Sequence, residues 1–259
     1  MSQQKANKEN KAKVSIKKAM PMSRLFPTIV TLVALCAGLT SVRYAFDQKW
    51  EHSVLLILLA AFLDGMDGRL ARYLDVVSDF GAHIDSFADF INFGVAPAIV
   101  VYLWILGNIH IQGVGWGVVL VFAVCMAIRL ARFNVTADGG DSSQKGQDLF
   151  FIGMPAPSCG ILVMLPIVLD IEFQDIPLLH NPWIVAGYTV VIGFAAASRI
   201  RTFSIKKMHI SPEYVTLVLA SVGLLIAALA IKPWMTISVL CGIYIFSIPV
   251  SALMYHYQK

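Results

Sequence analysis

Residues 64–90 read DGMDGRLARYLDVVSDFGAHIDSFADF. The stretch is dense in charge, yet its neighbours hold none: LLILLAAFL (55–63) precedes it and INFGVAPAIVVYLWILG (91–107) follows it. Charge beside hydrocarbon is expensive and calls for a function. Asp64 and Asp67 are three residues apart, Asp85 and Asp89 four apart. In helices, each spacing puts the pair on one face, so each pair can converge on one point.

The rest of the chain fixes the surroundings. Of 259 residues, 58% are hydrophobic and 14% charged, which separates the chain from soluble domains. Several apolar windows reach the roughly 20 residues needed to cross a hydrocarbon core as a helix. No series of alternating ten-residue segments reads as a lipid-facing barrel. The expected fold is an all-α polytopic membrane protein of about eight helices, near 27–46, 52–74, 80–107, 115–135, 154–171, 182–200, 212–231 and 233–255. Helix breakers mark the links at 107–115, 180–182, 211–213 and 232–233. Residues 25–257 form a single transmembrane catalytic domain. Residues 1–24, with six lysines and one arginine against one glutamate, form a cytoplasmic basic segment able to lie on an anionic leaflet.

Orientation follows from the positive residues. The N-terminal segment, the 69–79 turn, the 129–153 segment, the 199–207 turn and Lys259 fall on one side, while the opposite links contribute Lys49 and Lys232. An even number of helices then places both termini, and the aspartates, on the cytoplasmic side of the cell membrane. Cys36, Cys125, Cys159 and Cys241 all lie in apolar runs and read as small buried hydrophobes.

The aspartates sit at the cytoplasmic end of the second helix and the start of the third. Four crowded carboxylates repel one another, and divalent cations relieve that repulsion. Oxygen-only ligands suit Mg²⁺, Mn²⁺ or Ca²⁺ rather than zinc. Gly68, Ala71 and Gly81 are small enough to let a ligand approach the backbone, and Arg72 follows at the membrane edge. Two ions beside an arginine form a clamp for a diphosphate. His83, between Gly81 and Asp85, reads as a bystander.

The pattern Asp64-x2-Asp67-Gly68-x2-Ala71-Arg72-x8-Gly81-x3-Asp85-x3-Asp89 resembles, without departure, the signature of the CDP-alcohol phosphotransferases; it fixes eight positions over 26 residues. The resemblance implies a six-helix core, here with two added helices, and an enzyme that takes a CDP-linked lipid or alcohol and releases CMP. It implies that Asp64, Asp67 and Asp85 ligate metal, and that Asp89 contacts a second ion and serves as base. It further implies that Gly68, Ala71, Arg72 and Gly81 border the CDP site, together with Asp64. The cofactor would be divalent metal, Mg²⁺ or Mn²⁺, as two ions.

Four further stretches are similar to those of the family's membrane-embedded bacterial phosphatidylserine synthases: FPTIVTLVALCAG (26–38), FADFINFGVAPA (87–98), RLARFNV (129–135) and FIGMPAPSCG (151–160). Thr28 departs from that pattern, which leads one to expect asparagine there. The likeness implies CDP-diacylglycerol as donor, L-serine as acceptor, the bilayer as surroundings and a homodimer, with no nucleic acid involved. Arg129 and Arg132 are the candidates to grip an acceptor carboxylate or a lipid phosphate. The glycine- and serine-rich segment 137–153 reads either as a cover over the acceptor pocket or as a plain loop. Alternatives at this point are a sibling enzyme using glycerol 3-phosphate, inositol phosphate or choline, an intramembrane prenyltransferase, and a divalent-cation transporter.

Overall fold

The computed structural model describes residues 26–73, 79–138, 150–152, 154–174, 176–198, 201–203 and 215–257. Three expectations therefore lie outside the described residues: the 1–24 segment, the side chains of Ala71 and Arg72, and most of the 137–153 segment. Helix α1 (Phe26–Phe46) turns back through Asp47–Lys49 into α2 (Trp50–Tyr73). The reversal is tight enough to hold Gln48 at a positive φ of 57°. Ala34, Ala37 and Gly38 are buried on one face of α1, and Ala60 is buried on α2. Small residues let the two backbones approach closely, which is how helices associate where lipid removes the usual hydrophobic drive. The Ser41 and Ser53 hydroxyls, 2.9 Å apart and buried, pin the hairpin's register.

The next span is α3 (Asp79–Asp89), a π-helical turn (Phe90–Val95) and α4 (Ala96–Trp104). The π-turn has a cause in Pro97, which sits in the first turn of α4. Its ring removes an N–H donor and crowds the carbonyl four residues earlier. The Ala96 N–H accordingly reaches five residues back, to the Ile91 carbonyl. The wide turn carries Phe93, fully buried, into the core. A Cβ on Gly38 would lie 2.1 Å from Asn92 Oδ1, and one on Gly160 would lie 2.9 Å from Phe93 Cα. Two glycines thus let neighbouring helices pass directly against the π-turn.

After a 3₁₀ turn (Leu106–Asn108) comes α5 (Val114–Asp138), then α6 (Ala156–Val163) and α7 (Leu165–Phe173). The sequence leads one to expect a single helix over 154–171; two helices are found, bent by 43° at Met164, with Pro166 in the first turn of α7. Helix α8 (Pro182–Ala197) opens on Asn181, whose side chain accepts from the Trp183 N–H at 3.0 Å. Helices α9 (Val215–Ile231) and α10 (Pro233–Tyr257) complete the chain. Each of the eight expected helical segments is thus matched by helix. The departure from an all-α fold among the described residues is one short antiparallel ladder. It pairs β1 (Phe150–Ile152) with β2 (Arg201–Phe203), tying the segment after α5 to the segment after α8. Neither three-residue strand is long enough to show an alternating pattern.

Among the described residues, Phe26–Phe46, Phe80–Trp104 and Val114–Val135 are long and apolar enough to cross a membrane, and the bent α6–α7 pair makes a fourth if it counts as one span. Shorter apolar helices are Pro182–Ala197, Thr216–Ile231 and Pro233–Ile248. The architecture is that of a multi-pass helical membrane protein. Its main core gathers Phe93, Phe122, Met126 and Leu162, contributed by the π-turn, α5 and α6.

Candidate active site

The signature aspartates come from two helices that meet at one end of the bundle. Asp64 and Asp67 lie in the last turns of α2, Asp85 and Asp89 in α3. Asp64, Asp67 and Asp85 each offer a carboxylate oxygen, and these oxygens lie within 4.8 Å of one another. Asp67 is only 4% exposed. Its Oδ2 accepts a 2.7 Å hydrogen bond from the Thr31 hydroxyl on α1, and its carboxylate also accepts from the Gly68 backbone N–H. Asp89 lies within hydrogen-bonding reach of Asp64, while its Oδ1 is buried without a partner.

The donor set tests well against a divalent cation. It is all oxygen, its three nearest members already converge, and one of them is buried. Two neighbouring carboxylates share a hydrogen bond only with a proton or a cation between them, so the Asp64–Asp89 contact suits a site that takes up positive charge. There is room as well: a Cβ on Gly68 would meet no atom within 4 Å, so no packing within the described residues requires glycine there. Gly81 lies on α3 four residues before Asp85. His83 is exposed.

Arg129, on α5, is the cation that both Asp64 and Asp89 feel. Its Nε donates to the Met154 carbonyl, just before α6, and its Nη1 is buried without a partner. Arg132 behaves differently. It is exposed, and its Nη1 donates to the Ala197 carbonyl at the last residue of α8. A cation there meets the negative end of a helix dipole. The two arginines offered together by the sequence therefore part company in space.

Several residues at this site went unremarked in the sequence. Thr31 supports Asp67 from α1; a hydroxyl one turn after Pro27 in an apolar helix was the available signal. Tyr244, from α10, faces the Ser158 hydroxyl without a well-formed hydrogen bond and lies beside Cys159 and Arg129. Ser86, one residue after Asp85, donates to Ala82 O at 3.1 Å and approaches Asn134 Oδ1 at 3.2 Å, linking α3 to α5.

Comparison with known proteins follows the same residues. The family profile described as CDP-alcohol phosphatidyltransferase matches residues 24–195, which include every signature position, and the profile described as CDP-alcohol phosphatidyltransferase 2 matches 213–249. A CDP-diacylglycerol–serine O-phosphatidyltransferase of Mycobacterium tuberculosis is 36% identical over 231 residues, covering 87% of this chain and 77% of the relative. Proteins of the same name are similar in Helicobacter pylori, 31% identical over 85% of this chain and 88% of the relative, and in Bacillus subtilis, 30% identical over 70% and 91%.

Proposed function

The chain belongs to the CDP-alcohol phosphatidyltransferase family, and from that premise we propose that it transfers the phosphatidyl group of CDP-diacylglycerol to the hydroxyl of L-serine, forming phosphatidylserine and CMP. The observation that carries this reading is three converging carboxylates, a fourth with an unpaired oxygen, and a half-buried arginine within electrostatic reach of two of them.

Asp64, Asp67 and Asp85 would hold one divalent cation, with Asp89 contributing to a second. Bound there, Mg²⁺ or Mn²⁺ would neutralise the diphosphate and make CMP a better leaving group. The chain's own residues do the rest. Gly68, Ala71, Arg72 and Gly81 border the nucleotide, the small residues leaving room and the arginine supplying charge. Asp89 takes the proton of the serine hydroxyl, a weak nucleophile at neutral pH. In the net transfer the serine oxygen bonds to the phosphorus that carries diacylglycerol, and the P–O bond to CMP breaks with its electron pair leaving on CMP. The Met154 carbonyl holds Arg129 through its Nε, leaving Nη1 to meet a ligand.

The charge count favours a carboxylate over a phosphorylated acceptor. A phosphate monoester brings about −1.5 to −2 near neutral pH. Arg129 matches the single charge of an amino-acid carboxylate, while Arg132 is engaged at the end of α8. We further read eight membrane crossings, with α3 through α4 as one span and α6–α7 as one bent span. The site then opens to the cytoplasm, with both termini on that side and two copies forming a homodimer.

The test is an acceptor panel on purified protein with CDP-diacylglycerol and Mg²⁺ or Mn²⁺, following CMP. L-serine should support release. Release with glycerol 3-phosphate, inositol phosphate or choline but not with serine would move the chain to a sibling activity.

A further inference from the structure

Among the described residues, three buried polar atoms near the aspartates make no well-formed hydrogen bond: Asp89 Oδ1 on α3, Arg129 Nη1 on α5 and Tyr244 Oη on α10. Arg129 lies within electrostatic reach of both Asp89 and Tyr244. Buried polar groups in native proteins are almost always paired, so orphans on three helices grouped electrostatically around Arg129 mark a position reserved for something polar. Each is held from behind: Arg129 by the Met154 carbonyl, Tyr244 by packing against the main core, and Asp89 by contact with Asp64.

We propose that Tyr244 completes the acceptor pocket from the last helix, its hydroxyl joining Arg129 Nη1 on the carboxylate of the incoming amino acid. This rests on the serine reading above and extends it to a residue far outside the signature, 155 positions after Asp89. The chemistry of the orphans matches an amino-alcohol acid. Arg129 Nη1 and Tyr244 Oη are donors, suited to the two oxygens of a carboxylate. Asp89 Oδ1 is an acceptor, suited to the hydroxyl whose proton it takes. Ser158, at the start of α6, sits against Tyr244 and positions its hydroxyl. A pocket that pairs buried polar groups with its substrate rejects analogues that leave them unpaired, so Tyr244 is a specificity-determining residue.

The experiment measures KM and kcat for L-serine and for serinol, which lacks the carboxylate, in the wild type, Tyr244→Phe and Ser158→Ala. Tyr244→Phe removes one oxygen and keeps the ring's packing; intact folding is checked by an unchanged thermal midpoint. The expected result is a serine KM raised on the order of 10-fold in Tyr244→Phe. The KM for CDP-diacylglycerol should hold within about 2-fold, and the wild-type preference for serine over serinol should shrink by that same order of 10. Ser158→Ala should move the serine KM in the same direction by less. An unchanged serine KM in Tyr244→Phe, or an equal loss with serinol, overturns the inference. If the wild type uses another alcohol instead, the serine reading fails by itself; Tyr244 is then judged by whether Tyr244→Phe raises that alcohol's KM, and an unchanged value overturns its role too.

Discussion

The Thr31 hydroxyl on α1 donates a 2.7 Å hydrogen bond to Asp67 Oδ2 on α2, inside the packed face of the hairpin. The bond orients one of the three converging carboxylates from a helix that carries none of the signature. Groups that orient a metal ligand change affinity by about 10–100-fold when removed. Thr31→Val should weaken Mn²⁺ binding by that order, read directly by paramagnetic resonance without substrate, whereas Thr31→Ser should stay near the wild type. Equal affinity in Thr31→Val and wild type would show that Asp67 needs no support from α1.

Asp89 is proposed above as the base, a role that a substitution can separate from holding charge. Removing a general base typically lowers turnover by roughly 10²–10⁴-fold. Asp89→Asn keeps the shape and the contact with Asp64 while losing the basic oxygen. CMP release should therefore fall by that order at saturating metal and saturating serine. Near-normal kcat under those conditions would remove Asp89 from the role of base.

Three converging carboxylates repel one another, and ligation of a cation relieves that repulsion. Metal binding to the folded state should stabilise it by about 2.7 kcal/mol at a concentration 100 times Kd. Thermal unfolding in detergent should accordingly shift upward with Mg²⁺ or Mn²⁺, and EDTA should reverse the shift and abolish CMP release. In Asp64→Asn/Asp85→Asn the shift should vanish. Persistence of the shift there would place the ion elsewhere.

Gly160 is where α6 passes the π-turn, and a Cβ would come within 2.9 Å of Phe93 Cα and 3.0 Å of Phe93 Cβ. Since the obstacle is backbone, a helix must move. Gly160→Ala should cost about 1–3 kcal/mol of stability, the usual penalty of overpacking. Gly223→Ala, on α9, has nothing within 4 Å and serves as the control; helix propensity alone makes it neutral or slightly stabilising. Chemical denaturation of both variants decides the point, and equal midpoints would mean that the π-turn yields.

The helices and the shared faces of the aspartates were legible in the chain because both are local properties. Hydropathy over about twenty residues marks a helix wherever it later sits. Spacings of three and four put Asp64 with Asp67, and Asp85 with Asp89, on shared faces before any neighbour is known. Pro97 and Pro166 were also visible, though not their consequences. A proline announces a missing N–H; whether the chain answers with a π-turn or a 43° bend depends on what packs beside it. The pairing of β1 with β2 was hidden for a similar reason, since six residues from distant segments carry no periodicity of their own.

What only the tertiary structure decided is which side chains attend the aspartates. Arg129 and Arg132 look equivalent in RLARF, yet one lies within electrostatic reach of Asp64 and Asp89 while the other caps α8. Tyr244 is a common residue in an apolar helix with no spacing to set it apart, and the position of Thr31 one turn after Pro27 does not say which carboxylate it meets. Between membrane helices, close packing of small residues chooses the contacting faces, as Gly38 and Gly160 do here. That choice is made by shape across the whole bundle, and a sequence read one helix at a time does not contain it.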